Sequence, residues 1–152
     1  MKVIHFNQEE NEIIRLAIEN NRSAQQKIYI KFSSKMLSVC RQYIKDIHQA
    51  EDIMITAFMK VFANLKNFEK KGSFEGWIRR IMVNECISHI RVQKKVSFLD
   101  EEKYSEESFN NIESLFSVED IQFLIDSLPD GYKIIFNLYA IEGYKHKEIS
   151  TM

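Results

Sequence analysis

In 152 residues the chain has four Gly and one Pro, and this scarcity constrains the fold more than any other feature. Strands need frequent turns, and turns draw on Gly and Pro for positive φ or a pre-set bend. Apolar residues instead recur at intervals of three and four. Between Asp46 and Leu65, one side of a helix of roughly five turns carries Ala50, Ile53, Met54, Ala57, Phe58, Val61, Phe62 and Leu65. Glu51, Asp52, Thr56 and Lys60 lie elsewhere on it. The expectation is an all-α chain of helices joined by short polar turns.

Start and stop signals divide the chain further. Asn7 with Glu10 has the shape of a capping box opening a first helix, which has Ile13, Ile14, Ala17 and Ile18 inside and ends near Asn20 and Asn21. Ser23 with Gln26 opens a second, to about Lys45, with Ile28, Phe32, Met36, Val39, Cys40 and Tyr43 on one stripe. Asp46 with Gln49 opens the third. After a break from Lys66 to Gly72, Ser73 stands as N-cap of a fourth helix running through Trp77 to about Val92, with Trp77, Ile81, Val83, Cys86, Ile87 and Ile90 apolar. Four helices with short connections favour a bundle of antiparallel neighbours. Residues 96–116 lose periodicity, gain Ser, Asn and acid, and read as a flexible acidic linker and a domain boundary. Helical spacing returns from Ser117 to Leu128 through Val118, Ile121, Leu124 and Ile125, and Pro129 stops it. Asp130 to Glu142 reads as helix with Tyr132, Ile135, Phe136 and Tyr139 aligned, Gly143 as a left-handed cap, and Tyr144 to Met152 as the start of another helix.

The formal net charge of −1 hides an asymmetry. From Lys66 to Lys95 there are eight Lys and Arg against three Glu, a net of +5, with Phe68, Phe74 and Trp77 interleaved. Cations track phosphates and flat rings accept unstacked bases, so such a stretch suits unpaired nucleic acid. For Trp77 the alternative of core packing stays open. From Asp100 to Asp120 there are eight acids against Lys103, a net of −7. Within it, Asp100 to Glu113 is expected to compete with DNA for the basic surface. Cys40 and Cys86 fall on apolar stripes and read as buried reduced thiols; a disulfide or metal role is the alternative. Glu85 and His89, four apart, could share a metal, but no further ligand accompanies them. No phosphate-cradling glycine loop, clustered acid–base groups or nucleophile–base pair is legible, so catalysis, cofactor and metal are not expected. No signal core or membrane-length apolar run appears either, and the expected location is cytoplasmic.

The order of these residues resembles a family. Ala50-Glu51-Asp52-Ile53, Ala57 to Phe62, Asn67-Phe68, Gly72-Ser73-Phe74, Trp77-Ile78 and Arg80-Ile81 are similar in order and spacing to region 2 of the extracytoplasmic-function group of bacterial sigma factors. Leu128-Pro129, Phe136, Leu138, Gly143-Tyr144 and Glu148-Ile149 resemble the opening of that family's region 4. The resemblance implies region 2 over 1–95, the linker over 96–116 and an incomplete region 4 over 117–152. It implies docking on core RNA polymerase through Glu51, Asp52, Ile55, Thr56 and Met59, although many members carry Gln and an acid where Ile55 and Thr56 stand. It implies capture of the single-stranded minus-ten promoter element by Lys66, Asn67, Phe68, Lys70, Lys71, Ser73, Phe74, Trp77, Arg79, Arg80, Asn84 and Arg91. An anti-sigma factor is a further implied partner, and a membrane is not.

Two expectations follow from the resemblance. Lys145 stands where the family usually has a Ser or Thr cap, so a capping box with Glu148 is incomplete. The chain stops before the second helix of the helix-turn-helix, so duplex reading of a minus-thirty-five element is not expected of it. Melting DNA is also beyond the chain alone. A bubble of about ten pairs costs roughly 14 kcal/mol of stacking, and each captured base returns only about 1–3 kcal/mol. The alternative reading is a helical interaction protein that binds polymerase or a regulator without reading promoter DNA.

Overall fold

The computed structural model describes residues 8–97 and 117–152. Among them every regular element is helical: α1 (Gln8–Ile18), α2 (Arg22–Tyr43), α3 (Ile47–Ala63), a 3-10 turn (Leu65–Asn67), α4 (Phe74–Ser97), α5 (Val118–Ser127), α6 (Asp130–Phe136), a π turn (Asn137–Ile141) and α7 (His146–Ile149). The all-α expectation holds. The chain divides into two compact units, one ending at Cys86 and the other beginning at Ile87, so the division falls inside α4.

The first corner of the bundle is made by two asparagines. Asn20 takes φ 63°, a left-handed conformation that Asn tolerates better than most side chains. The Asn20 N–H then reaches the Ala17 carbonyl and the Asn21 N–H the Leu16 carbonyl, each at 3.1 Å, closing the end of α1. Asn21 follows in extended conformation, and its side chain accepts the Ala24 N–H at 3.0 Å. Asn21 and not Ser23 therefore caps α2. Ser23 is already inside the first turn, where its own oxygen cannot serve as the cap. The box expected of Asn7 with Glu10 lies outside the described residues. Asp46 caps α3 as expected, accepting the Gln49 N–H at 2.9 Å.

The α2 stripe from Ile28 to Tyr43 is buried throughout, and so are Ala50, Ile53, Met54, Ala57, Phe58 and Val61 of α3. α1 packs on α2, α2 on α3, and the 3-10 turn touches both α1 and α3 with Leu65 1% exposed. α4 lies against α2: the Phe74 ring meets Phe32 edge-on at 5.7 Å, and Cys40 Sγ lies 4.0 Å from Met82 Sδ. Two details of α4 differ from the sequence reading. The helix runs past Val92 to Ser97, because Gln93, Lys94 and Lys95 are good helix formers and cations suit a helix C-terminus. Its core side is also turned, with Phe74, Ile78 and Met82 buried beside Val83, Cys86, Ile87 and Ile90, while Trp77 and Ile81 are half-buried.

Residues 98–116, with most of the expected linker and its acidic block, lie outside the described residues; positions 96 and 97 belong to α4. In the second unit Ser117 caps α5, its Oγ accepting the Asp120 N–H at 3.2 Å while the Asp120 carboxylate accepts the Ser117 N–H at 2.8 Å. The Ser117 N–H and, at 2.9 Å, the Ser117 hydroxyl both donate to the Asp120 carboxylate and hold it below its ordinary pKa. Of the stripe expected on α5 only Ile125 is buried, and Val118 and Ile121 are exposed. In α6 the expected stripe of Tyr132, Ile135, Phe136 and Tyr139 is exposed, while Lys133, Asn137 and Leu138 are buried. The segment is apolar on several sides, so periodicity does not single out its inner one; the π turn that follows, in which the Glu142 N–H reaches the Asn137 carbonyl at 2.9 Å, shifts the helical phase only beyond α6. Gly143 ends it at φ 76°. Before α7 the Lys145 N–H donates to Glu148 Oε2 at 2.7 Å, the one half of a capping box that a lysine allows.

Candidate nucleic-acid interface

The loop between α3 and α4 is shaped by two left-handed residues, Lys70 at φ 58° and Gly72 at φ 89°. Gly72 adopts this without a Cβ penalty, whereas Lys70 does so at a cost. Ser73 then opens α4, its Oγ accepting the Gly76 N–H at 3.0 Å. Lys66 and Asn67 are exposed on the 3-10 turn, and Asn67 donates to Asn64 Oδ1 at 3.3 Å. Lys71 is exposed and pairs with Glu69 at 2.7 Å.

Three rings meet beneath this loop. Phe68 lies 5.2 Å from Phe74 and 5.4 Å from Trp77, and Trp77 stacks on Phe74 at 5.9 Å with an interplanar angle of 17°. Phe68 and Phe74 are buried, at 8% and 2% exposure, so their rings form the floor of the site. Trp77 is half-buried and is the ring of the three that reaches the surface. From it a helical face continues through Arg80, Asn84, Arg91 and Lys95, spaced by three, four, seven and four and all exposed. Arg79 is half-buried and points to another side of α4.

A second face belongs to α3. Asp52, Ile55, Thr56 and Met59 are exposed together along it, with Ile55 at 48% and Met59 at 68%, and Thr56 donates to the Asp52 carbonyl at 3.0 Å. Glu51 is half-buried, with His48 Nδ1 at 3.9 Å. Two cross-helix ion pairs escaped the sequence reading: Lys60 of α3 meets Glu85 of α4 at 2.6 Å, and Lys35 of α2 meets Glu75 of α4 at 2.9 Å. Partners that far apart in sequence leave no local signal. Glu85 is thus engaged by a lysine, and among the described residues no group of three ligating side chains gathers around it or elsewhere. Cys40 and Cys86 are fully buried, and their hydrogen bond, together with burial, raises the Cys86 thiol pKa and keeps it protonated.

Residues 28–96 match the family model described as Sigma-70 region 2, so the bundle of α2, α3 and α4 is of the sigma-70 class. The chain is also similar to the ECF RNA polymerase sigma factor SigW of Bacillus subtilis, 28% identical over 135 residues that cover 80% of this chain and 72% of that protein. It is similar to the ECF RNA polymerase sigma factor SigE of Mycolicibacterium smegmatis, 30% identical over 112 residues, 68% of this chain and 43% of that protein. With the ECF RNA polymerase sigma-E factor of Escherichia coli K12 it shares 21% identity over 156 positions, 91% of this chain and 81% of that protein. The chain belongs to the extracytoplasmic-function group of the sigma-70 family.

Proposed function

We infer that this chain is a sigma factor that directs bacterial RNA polymerase to promoters, docking through α3 and capturing the melted minus-ten strand with the loop and outer face of α4. The observation that carries the reading is the pairing of two different exposed faces on neighbouring helices of one bundle. The α3 face, Asp52, Ile55, Thr56 and Met59, mixes apolar and polar groups as a protein-docking patch does. The α4 face, from Trp77 through Arg80, Asn84 and Arg91, offers one accessible ring and a line of cations and amide, as a single strand requires.

With Phe68 and Phe74 in the floor, base stacking falls to Trp77, while Lys66, Lys70, Lys71, Arg80 and Arg91 supply phosphate contacts and Asn67, Ser73 and Asn84 polar ones. One ring returns about 1–3 kcal/mol against roughly 14 kcal/mol for a bubble of about ten pairs, so core polymerase is an obligate partner. In this reading the region 2 module runs to the end of α4 at Ser97, and the acidic linker leads from there to the region 4 portion, 117–152. An anti-sigma factor and a cytoplasmic location belong to the same reading. Among the described residues no helix is long and apolar enough to cross a membrane.

The test is binding of a labelled single-stranded minus-ten oligonucleotide by the chain in complex with core polymerase. Charge reversal at Lys70, Lys71 and Arg80 is expected to weaken it strongly at low salt. Affinity unchanged by those reversals, with polymerase binding intact, would replace the reading with that of an interaction protein that does not touch promoter DNA.

A further inference from the structure

α4 carries two carboxylates, Glu75 and Glu85, among its many cations. Each is held by a lysine from another helix, Glu75 by Lys35 of α2 and Glu85 by Lys60 of α3. The second pair stands nearer the strand-binding face. Glu85 directly follows Asn84, one step of about 100° round the helix from it, and its side chain keeps only 18% of its exposure. Lys60 in turn directly follows Met59 on α3 and is 55% exposed at its side chain. Nothing in the local sequence of α4 neutralises Glu85. The charge that does so comes from the helix assigned to polymerase docking.

We propose that Lys60 is a positioning and charge-masking residue for strand capture: by holding the Glu85 carboxylate against α3, it removes a negative charge that would otherwise face the phosphates beside Asn84. The proposal rests on the reading of α4 as the strand-binding helix. Its physical basis is that a like charge near a phosphate acts through space and is weakened by salt. The pair itself, with the Lys60 side chain 55% exposed and open to solvent screening, contributes little to folding. Loss of the lysine should therefore show in DNA affinity more than in stability. It also ties the two faces together, because any rearrangement of α3 that draws Lys60 away restores a repulsive charge on α4.

The experiment uses the full chain bound to core polymerase and a fluorescent oligothymidylate single strand, with affinity measured across a salt series. Lys60→Met is expected to weaken binding by about two- to five-fold at low salt, the difference fading as salt rises. Glu85→Gln added to Lys60→Met is expected to restore wild-type affinity, and Glu85→Gln alone to leave it equal or tighter. Thermal unfolding of the variants should stay close to wild type. Equal affinity of Lys60→Met and wild type would overturn the masking role while leaving α4 as the strand-binding helix. A loss that Glu85→Gln fails to restore would overturn it too, because Lys60 would then contact the strand itself. Absence of single-strand binding by the wild-type complex would overturn both this inference and the reading beneath it.

Discussion

Phe74 and Trp77 stand three residues apart on α4 and meet different demands. Phe74 is 2% exposed and packed against Phe32, Phe68 and Trp77, so it belongs to the core. Its replacement by Ala should cost about 3–5 kcal/mol of stability, read by chemical denaturation. Trp77→Ala should cost less stability and weaken single-strand binding by about 1–3 kcal/mol. If Trp77→Ala lowers only stability, the ring is core and does not stack on bases. The sequence left this choice open because a ring at either position of the first turn of α4 can pack or stay exposed; the difference comes from how closely α2 covers that turn, where Phe32 meets Phe74. Lys70 is a second informative residue. Its left-handed φ of 58° strains a side chain that has a Cβ, so Lys70→Gly should stabilise the fold by about 1 kcal/mol. The same change removes a cation from the loop and should weaken strand binding at low salt. Opposite movements of the unfolding midpoint and the DNA affinity would confirm that this backbone strain serves the site, and a destabilised glycine variant would show that it does not.

At the scale of elements, legibility followed how sharply each helix divides into apolar and polar sides. α2 and α3 present narrow stripes, and every residue assigned from Ile28 to Tyr43 is buried. α4 carries apolar residues at 74, 77, 78, 81, 82, 83, 86, 87 and 90, an arc too wide for periodicity to locate its centre. Contact with α2 decides it in favour of Phe74, Ile78 and Met82. α6 was harder still, since it is apolar on several sides and buries the side of Lys133 and Asn137, and the π turn that follows breaks the periodicity beyond it. The corner between α1 and α2 shows why caps need backbone geometry: Asn20, Asn21 and Ser23 are all plausible signals, and only the left-handed Asn20 selects Asn21. Asn21→Ala should therefore cost about 1 kcal/mol, while Ser23→Ala should stay within about 0.5 kcal/mol; equal losses in thermal unfolding would contradict the assignment. For α3 the exposed side is the prediction. Ile55→Asp or Met59→Asp should weaken association with core polymerase by more than about 1 kcal/mol, as at a binding hot spot, with unfolding nearly unchanged. Wild-type affinity for polymerase in both variants would move the docking surface elsewhere.

On the whole molecule, a net charge of −1 conceals a basic helix whose acids are neutralised from neighbouring helices, and only the three-dimensional arrangement shows that neutralisation. The blocks of charge and the order of the region 2 residues were legible because they are properties of consecutive sequence. The ion pairs and the ring floor depend on which helices meet. If one bundle joins polymerase to a melted strand, promoter choice appears only when both are engaged. The most direct measurement is selection from DNA bubbles with a randomised non-template strand, recovered on core polymerase with and without the chain and then sequenced. The chain should enrich one short motif, and Trp77→Ala or Arg80→Glu should return enrichment to the level of polymerase alone while the complex still forms. The same sequences recovered with and without the chain, or undiminished enrichment by both variants, would contradict this.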